Sequence, residues 1–297
     1  MSADSKTKLL PHQPPLSRRA VLGTMGLALV APLLSRALQA QALDSLPAPS
    51  PGSTVSQLPL RTTGLEHIGV IVPDVTASAT FYSRLFNPEL HKEKEPPLRY
   101  YVTLGVGYLA LGSRANESRA FFDHFCALVQ DYDAAAMAEQ LKGAGLPAGR
   151  YGIIPDPDAI GLQLLAVPGG LAKSTEPAGR IVAGEALVQP VGLDHVVVHV
   201  SDLEKSLPFY RKFFGQEAGS QRDAAWFQVA GTRLMLEKGQ ADAAPHIDRV
   251  GVKVQRFNRK SVRRELAKMG ATVEPGRGSG LRFRDPIGLG IELVQAR

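Results

Sequence analysis

Cysteine is almost missing from this chain. Cys126 is the single one among 297 residues, so no disulfide within the chain can staple the fold. Aromatic residues make up 6%, with one tryptophan, Trp226. No stretch of about 20 uninterrupted apolar residues occurs, so no stable membrane span is expected. HExxH and the Ser-His-Asp elbow are also lacking, which removes two large hydrolase classes. What is present is ordinary: 44% hydrophobic and 21% charged residues, enough to bury a core and too apolar for a disordered chain.

The formal charge of +6 is unevenly placed. Residues 1–42 hold Lys6, Lys8, Arg18, Arg19 and Arg36 against Asp4 alone. The remainder carries 29 basic and 27 acidic side chains, close to neutral. That balance gives no electrostatic case for nucleic acid. The basic helix face around Arg256–Lys268 is read as a solvated surface.

Residues 1–42 have the order of an export signal. The Arg18-Arg19 pair precedes an apolar run from Ala20 to Leu34, and Ala40-Gln41-Ala42 fits a small-residue cleavage site. Twin-arginine export to the periplasm is therefore expected. Residues 43–63, with Pro47, Pro49 and Pro51, read as a tether.

The rest of the chain repeats itself. Gly64-Leu65-Glu66-His67-Ile68 returns as Gly192-Leu193-Asp194-His195-Val196, a register of 128 residues. Over 24 positions without a gap, 10 are identical, among them Asp74/Asp202, Phe81/Phe209, Tyr82/Tyr210 and Phe86/Phe214. Asp156-Pro157 and Asp285-Pro286 match at 129. Repeats of this length mean duplicated domains, bounded at 64–170 and 192–297, with 171–191 as linker.

Each half divides again. His67–Val72 is β-branched, and Asp74 can cap a helix with Phe81, Tyr82 and Leu85 on one face. Strands Tyr100–Leu104 and Tyr108–Leu111 follow. Then come Asp123–Val129, a helix Ala134–Ala144, a strand near Tyr151–Ile154, and Gly161–Val167. The second half runs in the same order through Leu289–Val294. The unit is β-α-β-β-β, four times over.

These features resemble the vicinal oxygen chelate superfamily, which includes glyoxalase I, extradiol dioxygenases and bleomycin-resistance proteins. The carriers are Leu-Glu-His67-Ile and Leu-Asp-His195-Val on opening strands, Phe-Tyr in the following helices, and Asp-Pro before closing strands. The resemblance covers about residues 64–296. It implies an α+β fold of two tandem domains, each a pair of βαβββ modules curling into an open, cup-shaped mixed sheet.

The resemblance also implies metal ligands on opening and closing strands: His67, His124 and Gln163 in the first half. Gln163 stands where the family usually carries Glu. The set suits Fe, Mn, Zn or Ni. The matching trio of the second half is His195, Arg249 and Glu292. A guanidinium cannot donate to a metal, so Arg249 is expected to pair with Glu292 and plug a degenerate cup. Pairing of non-consecutive modules, grouping His124 and Gln163 with His195, stays open. His199, on the same strand face as His195, reads as a second cup-lining group or, in preference, as packing; His91 reads as exposed, and His246 as loop. Gly276–Gly280 reads as a hairpin or lid.

The implied function is an exported, metal-dependent enzyme of glyoxalase or dioxygenase type, acting on a small substrate that chelates a divalent metal through vicinal oxygens. A non-catalytic protein that sequesters a small ligand, like the bleomycin-resistance members, is the alternative. A decayed enzyme serving as scaffold is the third. Partners are expected to be a small-molecule substrate or ligand, with no nucleic acid; a homodimer is compatible with the fold.

Overall fold

The computed structural model describes residues 58–146, 149, 152–166, 171–172, 174–275 and 280–296. The export signal, most of the tether, and the Gly276–Ser279 part of the expected lid lie outside the described residues. No helix among the described residues is long and apolar enough to cross a membrane.

The first half contains β1 (Thr62–Ile71), α1 (Val75–Leu85), β2 (Glu89–Glu93), β3 (Arg99–Thr103), β4 (Tyr108–Gly112), β5 (Phe121–Val129), α2 (Ala134–Gly143), β6 (Ile153–Pro155) and β7 (Gly161–Ala166). After β8 (Thr175–Arg180), the second half contains β9 (Pro190–Val200), α3 (Leu203–Phe214), β10 (Gly219–Gln221), β11 (Ala224–Val229), β12 (Thr232–Lys238), β13 (His246–Val254), α4 (Arg259–Lys268), β14 (Thr272–Val273), β15 (Leu281–Arg284) and β16 (Gly290–Gln295). Each helix starts where a short polar side chain caps it. Asp74 accepts from the Ala77 amide, Asp133 from Ala136, Asp202 from Glu204 and Asn258 from Ser261.

Consecutive modules pair through their opening strands: β1 with β5 and β9 with β13, both antiparallel. This overturns the grouping by non-consecutive modules. The two halves are not separate sheets. A β-bridge between Ile247 and Phe122 joins β13 to β5, giving one 16-stranded mixed sheet among the described residues. The segment expected as linker contributes β8, which adds to the edge strand β2. Alternation is too weak in Thr175–Arg180, with Pro177 and Gly179 inside it, for sequence patterning to mark a strand.

The halves also exchange contacts. Leu60 donates its amide to the Phe213 carbonyl at the end of α3. Val188 does the same to Leu85 at the end of α1. Leu60 and Val188 are 128 residues apart, as are Leu85 and Phe213, so the repeat extends to the lead-in segments. Phe125 stacks on Tyr210 across the halves at 6.4 Å. One buried cluster spans both halves, from Leu60 to Leu293.

Candidate functional site

All four opening strands carry an acidic residue followed by a basic one: Glu66-His67, Asp123-His124, Asp194-His195 and Asp248-Arg249. In a regular strand such neighbours face opposite ways. Here each dipeptide sits in a β-bulge. Between Leu65 and Ile68, β1 advances three residues while β5 advances two; between Gly69 and Val70, β5 inserts Asp123. The second half repeats both insertions, at Asp194 in β9 and Asp248 in β13. A bulge re-aims side chains, so acid and base meet. Period-two reasoning from sequence could not find these pairs, although the repeated dipeptide was visible.

The result is a carboxylate behind each base. His67 Nδ1 donates to Glu66 Oε2 at 3.0 Å, and His124 Nδ1 to Asp123 Oδ2 at 2.9 Å. Each ring then turns its Nε2 away from the carboxylate, the arrangement that orients metal-ligating imidazoles. Asp123 is itself held by Arg114 at 2.6 Å. Burial lowers the His67 pKa and the bond from Glu66 only partly offsets it, so the ring is neutral at neutral pH.

His67 and Gln163 come together. His67 Nε2 lies 3.0 Å from Gln163 Oε1. The His124 ring stands edge-on to His67 with centroids 5.5 Å apart. Tyr108, paired with His67 across β1 and β4, stacks on the imidazole at 4.6 Å. Gly69 makes room for His124, because a Cβ there would fall 2.1 Å from its Cε1 atom. Cys126 lies behind His67, in a buried group with Glu66. Burial and then the Glu66 charge push its thiol pKa well up, so it stays protonated and is a poor ligand.

The second half places the equivalent side chains differently. His195 Nδ1 donates to Asp194 at 2.8 Å, and its Nε2 lies 3.5 Å from Glu292 Oε2. Burial works against charge on His195, but Asp194 and Glu292 outweigh it and raise its pKa. Arg249 pairs with Glu292 as expected, although as an ion pair without a hydrogen bond. Its Nη atoms bond to Asp248 and Glu237, both at 2.9 Å, and its Nε lies 3.7 Å from Glu292. Arg282 joins the pair and supplies the hydrogen bond, donating to Glu292 Oε2 at 2.8 Å. The cup is lined with ion pairs: the Arg249 guanidinium has no lone pair for a metal, and Asp194 and Glu292 favour the protonated form of His195 against its burial.

Three histidines outside the expected ligand sets depart from their readings. His199 faces a carboxylate, with Nε2 3.5 Å from Glu237 Oε2, where packing is the preferred reading. His246 opens β13 instead of lying in a loop. His91 on β2 is half-buried, with Nδ1 enclosed.

Residues 192–293 match the family model described as Glyoxalase/Bleomycin resistance protein/Dioxygenase superfamily. No curated protein matches the chain. Solved structures share the fold at low identity. A Mn(II)-bound glyoxalase from Novosphingobium aromaticivorans aligns at 16% identity and a TM-score of 0.58, over 80% of this chain and 83% of that one. The 2,3-dioxygenase LapB from Pseudomonas sp. KL28 aligns at 14% and 0.56, over 79% and 92%. Homoprotocatechuate 2,3-dioxygenase from Arthrobacter globiformis aligns at 18% and 0.57, over 84% and 83%. The described residues thus share a sheet-dominated α+β fold with a glyoxalase and with 2,3-dioxygenases, and the superfamily model matches within the second half.

Proposed function

We propose that this chain is a metal-dependent enzyme of glyoxalase or dioxygenase type, built from two tandem domains, whose working centre is in the first half. His67 and His124, through Nε2, and Gln163, through Oε1, are the residues that would hold a divalent first-row ion. Their chemistry fits one: two imidazoles with carboxylate-backed Nδ1 atoms, one neutral oxygen donor, and a buried wall behind them. The observation that carries the reading is the convergence of His67 with Gln163 at 3.0 Å, on a strand whose bulge sets the imidazole.

When bound, the ion supplies Lewis acidity toward two adjacent oxygens of a small substrate, and oxygen chemistry if it is iron. The chain's own part is positional. Glu66 and Asp123 keep protons on the Nδ1 atoms and leave Nε2 free of them. Gln163 adds no charge, so the centre retains more positive potential than a Glu ligand would leave. That favours an anionic substrate. Tyr108 gives the centre a flat apolar side, and burial raises its phenol pKa far enough to keep it neutral. Export through Arg18-Arg19 belongs to the same reading, since the twin-arginine route carries folded, cofactor-loaded proteins.

Elemental analysis of the full chain after purification from the producing cell tests this. At least one bound ion per chain is expected, and His67→Ala and His124→Ala should each lower the metal content by one equivalent with the fold intact by circular dichroism. Metal content unchanged in both variants overturns the assignment. Tight binding of a planar ligand without any metal would move the protein to the sequestration class.

A further inference from the structure

We propose that His199, His246 and Asp248 form a second metal site, at the outer end of β9 and β13, selective for a late first-row divalent ion such as Zn2+, Ni2+ or Cu2+. It is independent of the first-half centre and shares no residue with it.

His199 and His246 are directly opposed across the antiparallel pair β9–β13. Opposed residues have close Cβ atoms, and here the rings stand edge-on with centroids 5.1 Å apart. Both Nε2 atoms face one carboxylate. His199 Nε2 lies 3.9 Å from Asp248 Oδ2, and His246 Nε2 lies 3.9 Å from Asp248 Oδ1. One donor atom from each of the three lies within 4.8 Å of the others. An ion bound at about 2.0–2.2 Å needs donors a little closer than that. Small rotations of the two imidazoles supply the difference. Glu237 Oε2, 3.5 Å from His199 Nε2, offers a fourth oxygen.

The protonation pattern suits a cation. His246 Nδ1 donates to the Ala244 carbonyl at 2.8 Å, which leaves the lone pair of a neutral ring on Nε2. Asp248 is fixed from behind by Arg284 on Oδ1 at 2.7 Å and by Arg249 on Oδ2 at 2.9 Å. Each oxygen keeps a second acceptor position. The two guanidinium groups weaken the carboxylate's pull on hard cations, so affinity rests on the imidazoles. That selects zinc, nickel and copper over magnesium and calcium.

The duplicated fold supplies an internal control. The 128-residue register puts Ile71 where the second half has His199. The bulged pairs Asp123-His124 and Asp248-Arg249 correspond, which puts Phe121 opposite His246 in the repeat. The β4 and β12 registers put Gly112 at the Glu237 place. Only Asp123 matches Asp248. The scaffold therefore folds in the first half with isoleucine and phenylalanine at these positions, and the paired imidazoles are an addition of the second half. They are also reachable: the His246 side chain is 44% exposed and that of His199 25%.

The test is a Zn2+ titration of tag-free full chain against a chromophoric chelator, with Cu2+ electron paramagnetic resonance of the same protein. The wild type should bind an ion that His246→Ala and His199→Ala each weaken at least tenfold, while His67→Ala leaves it in place. In the His67→Ala background, Cu2+ spectra should show two imidazole nitrogens at the rim site, reduced to one when His199→Ala or His246→Ala is added. His246 is half-exposed, so His246→Ala should fold; His246→Cys should restore Zn2+ binding. Unchanged affinity in the His199→Ala/His246→Ala double variant, or loss of all binding in His67→Ala, overturns the site. If His67→Ala removes nothing while the rim variants do, the first-half assignment fails and this one stands.

Discussion

Tyr82 on α1 donates a 2.8 Å hydrogen bond to Asp285, 203 residues away in the other half, and Tyr210 on α3 returns the same bond to Asp156. Both phenols are fully buried. Each aspartate spends its other oxygen on its own turn: Oδ1 of Asp285 accepts from the Ile287 and Leu289 amides, and Oδ1 of Asp156 from Asp158 and Ile160. The repeated Phe-Tyr and Asp-Pro motifs are thus two halves of one reciprocal lock. Hydrogen bonds to charged groups contribute about 1.5–3 kcal/mol each. Tyr82→Phe and Tyr210→Phe should each lower stability by about that amount in urea unfolding, since each leaves a buried carboxylate short of a donor. A loss below about 0.5 kcal/mol in both would show that the lock is incidental.

The same exchange makes the halves interdependent. Leu60 packs at the end of α3 and Val188 at the end of α1, so each half completes the other's helix packing. Chains covering residues 58–188 or 189–297 alone should lack a cooperative thermal transition and bind a hydrophobic dye. Mixed together, they should regain the transition. A sharp transition in either piece by itself would refute the dependence.

Acid should unfold the second half's ion network first. Burial opposes ionisation of Asp194, but bonds from His195 and Arg233 hold its pKa at about 2. Asp248 moves the same way, held down against burial by His246 and Arg284. A depressed carboxylate stabilises the fold above its unfolded pKa near 4, and that stability drains as pH falls through the folded value. For Asp194 it amounts to about 2 kcal/mol. Asp156 and Asp285, raised by burial, act in the opposite sense and offset part of it. The half-exposed Arg233 gives a clean handle: Arg233→Gln should shift the acid midpoint upward between pH 4 and 2. An unmoved midpoint would mean Asp194 is not part of the acid transition.

Much of this was legible in the sequence, for definite reasons. The repeat carried the fold because Asp74, Tyr82 and Asp156 each do a job that recurs in the other half: a cap, a buried donor, a turn that folds on its own carboxylate. His67, His124 and Gln163 were singled out by the resemblance to the vicinal oxygen chelate superfamily, not by composition or periodicity. Glu66 and Asp123 escaped, because a bulge breaks the alternation on which face assignment depends. β8 escaped because its pairing with β2 is decided by an edge that needed covering, not by its own composition. Arg282 escaped because its bond to Glu292 depends on register and side-chain reach across β15 and β16.

Gln163→Glu should strengthen the first-half site, and the second half shows at what cost. Glu292 occupies the place equivalent to Gln163, and with it His195 is raised in pKa and drawn into an ion pair. A carboxylate at 163 should do likewise to His67, now lowered by burial, when no metal is present. The unfilled site would then hold an imidazolium facing a carboxylate, and a metal would have to displace a proton to enter. At pH 8 the added charge dominates, and the variant should bind Zn2+ or Mn2+ at least tenfold more tightly than wild type, about 1.4 kcal/mol. Near pH 6 the protonated pair competes, and the advantage should shrink or vanish. Wild type, with a neutral third donor and a neutral His67, should lose affinity less steeply over the same range. Titrating both proteins at the two pH values decides it. Equal affinities at pH 8 would place the Gln163 side chain outside the coordination sphere, and with it the assignment of His67 and His124 as its partners.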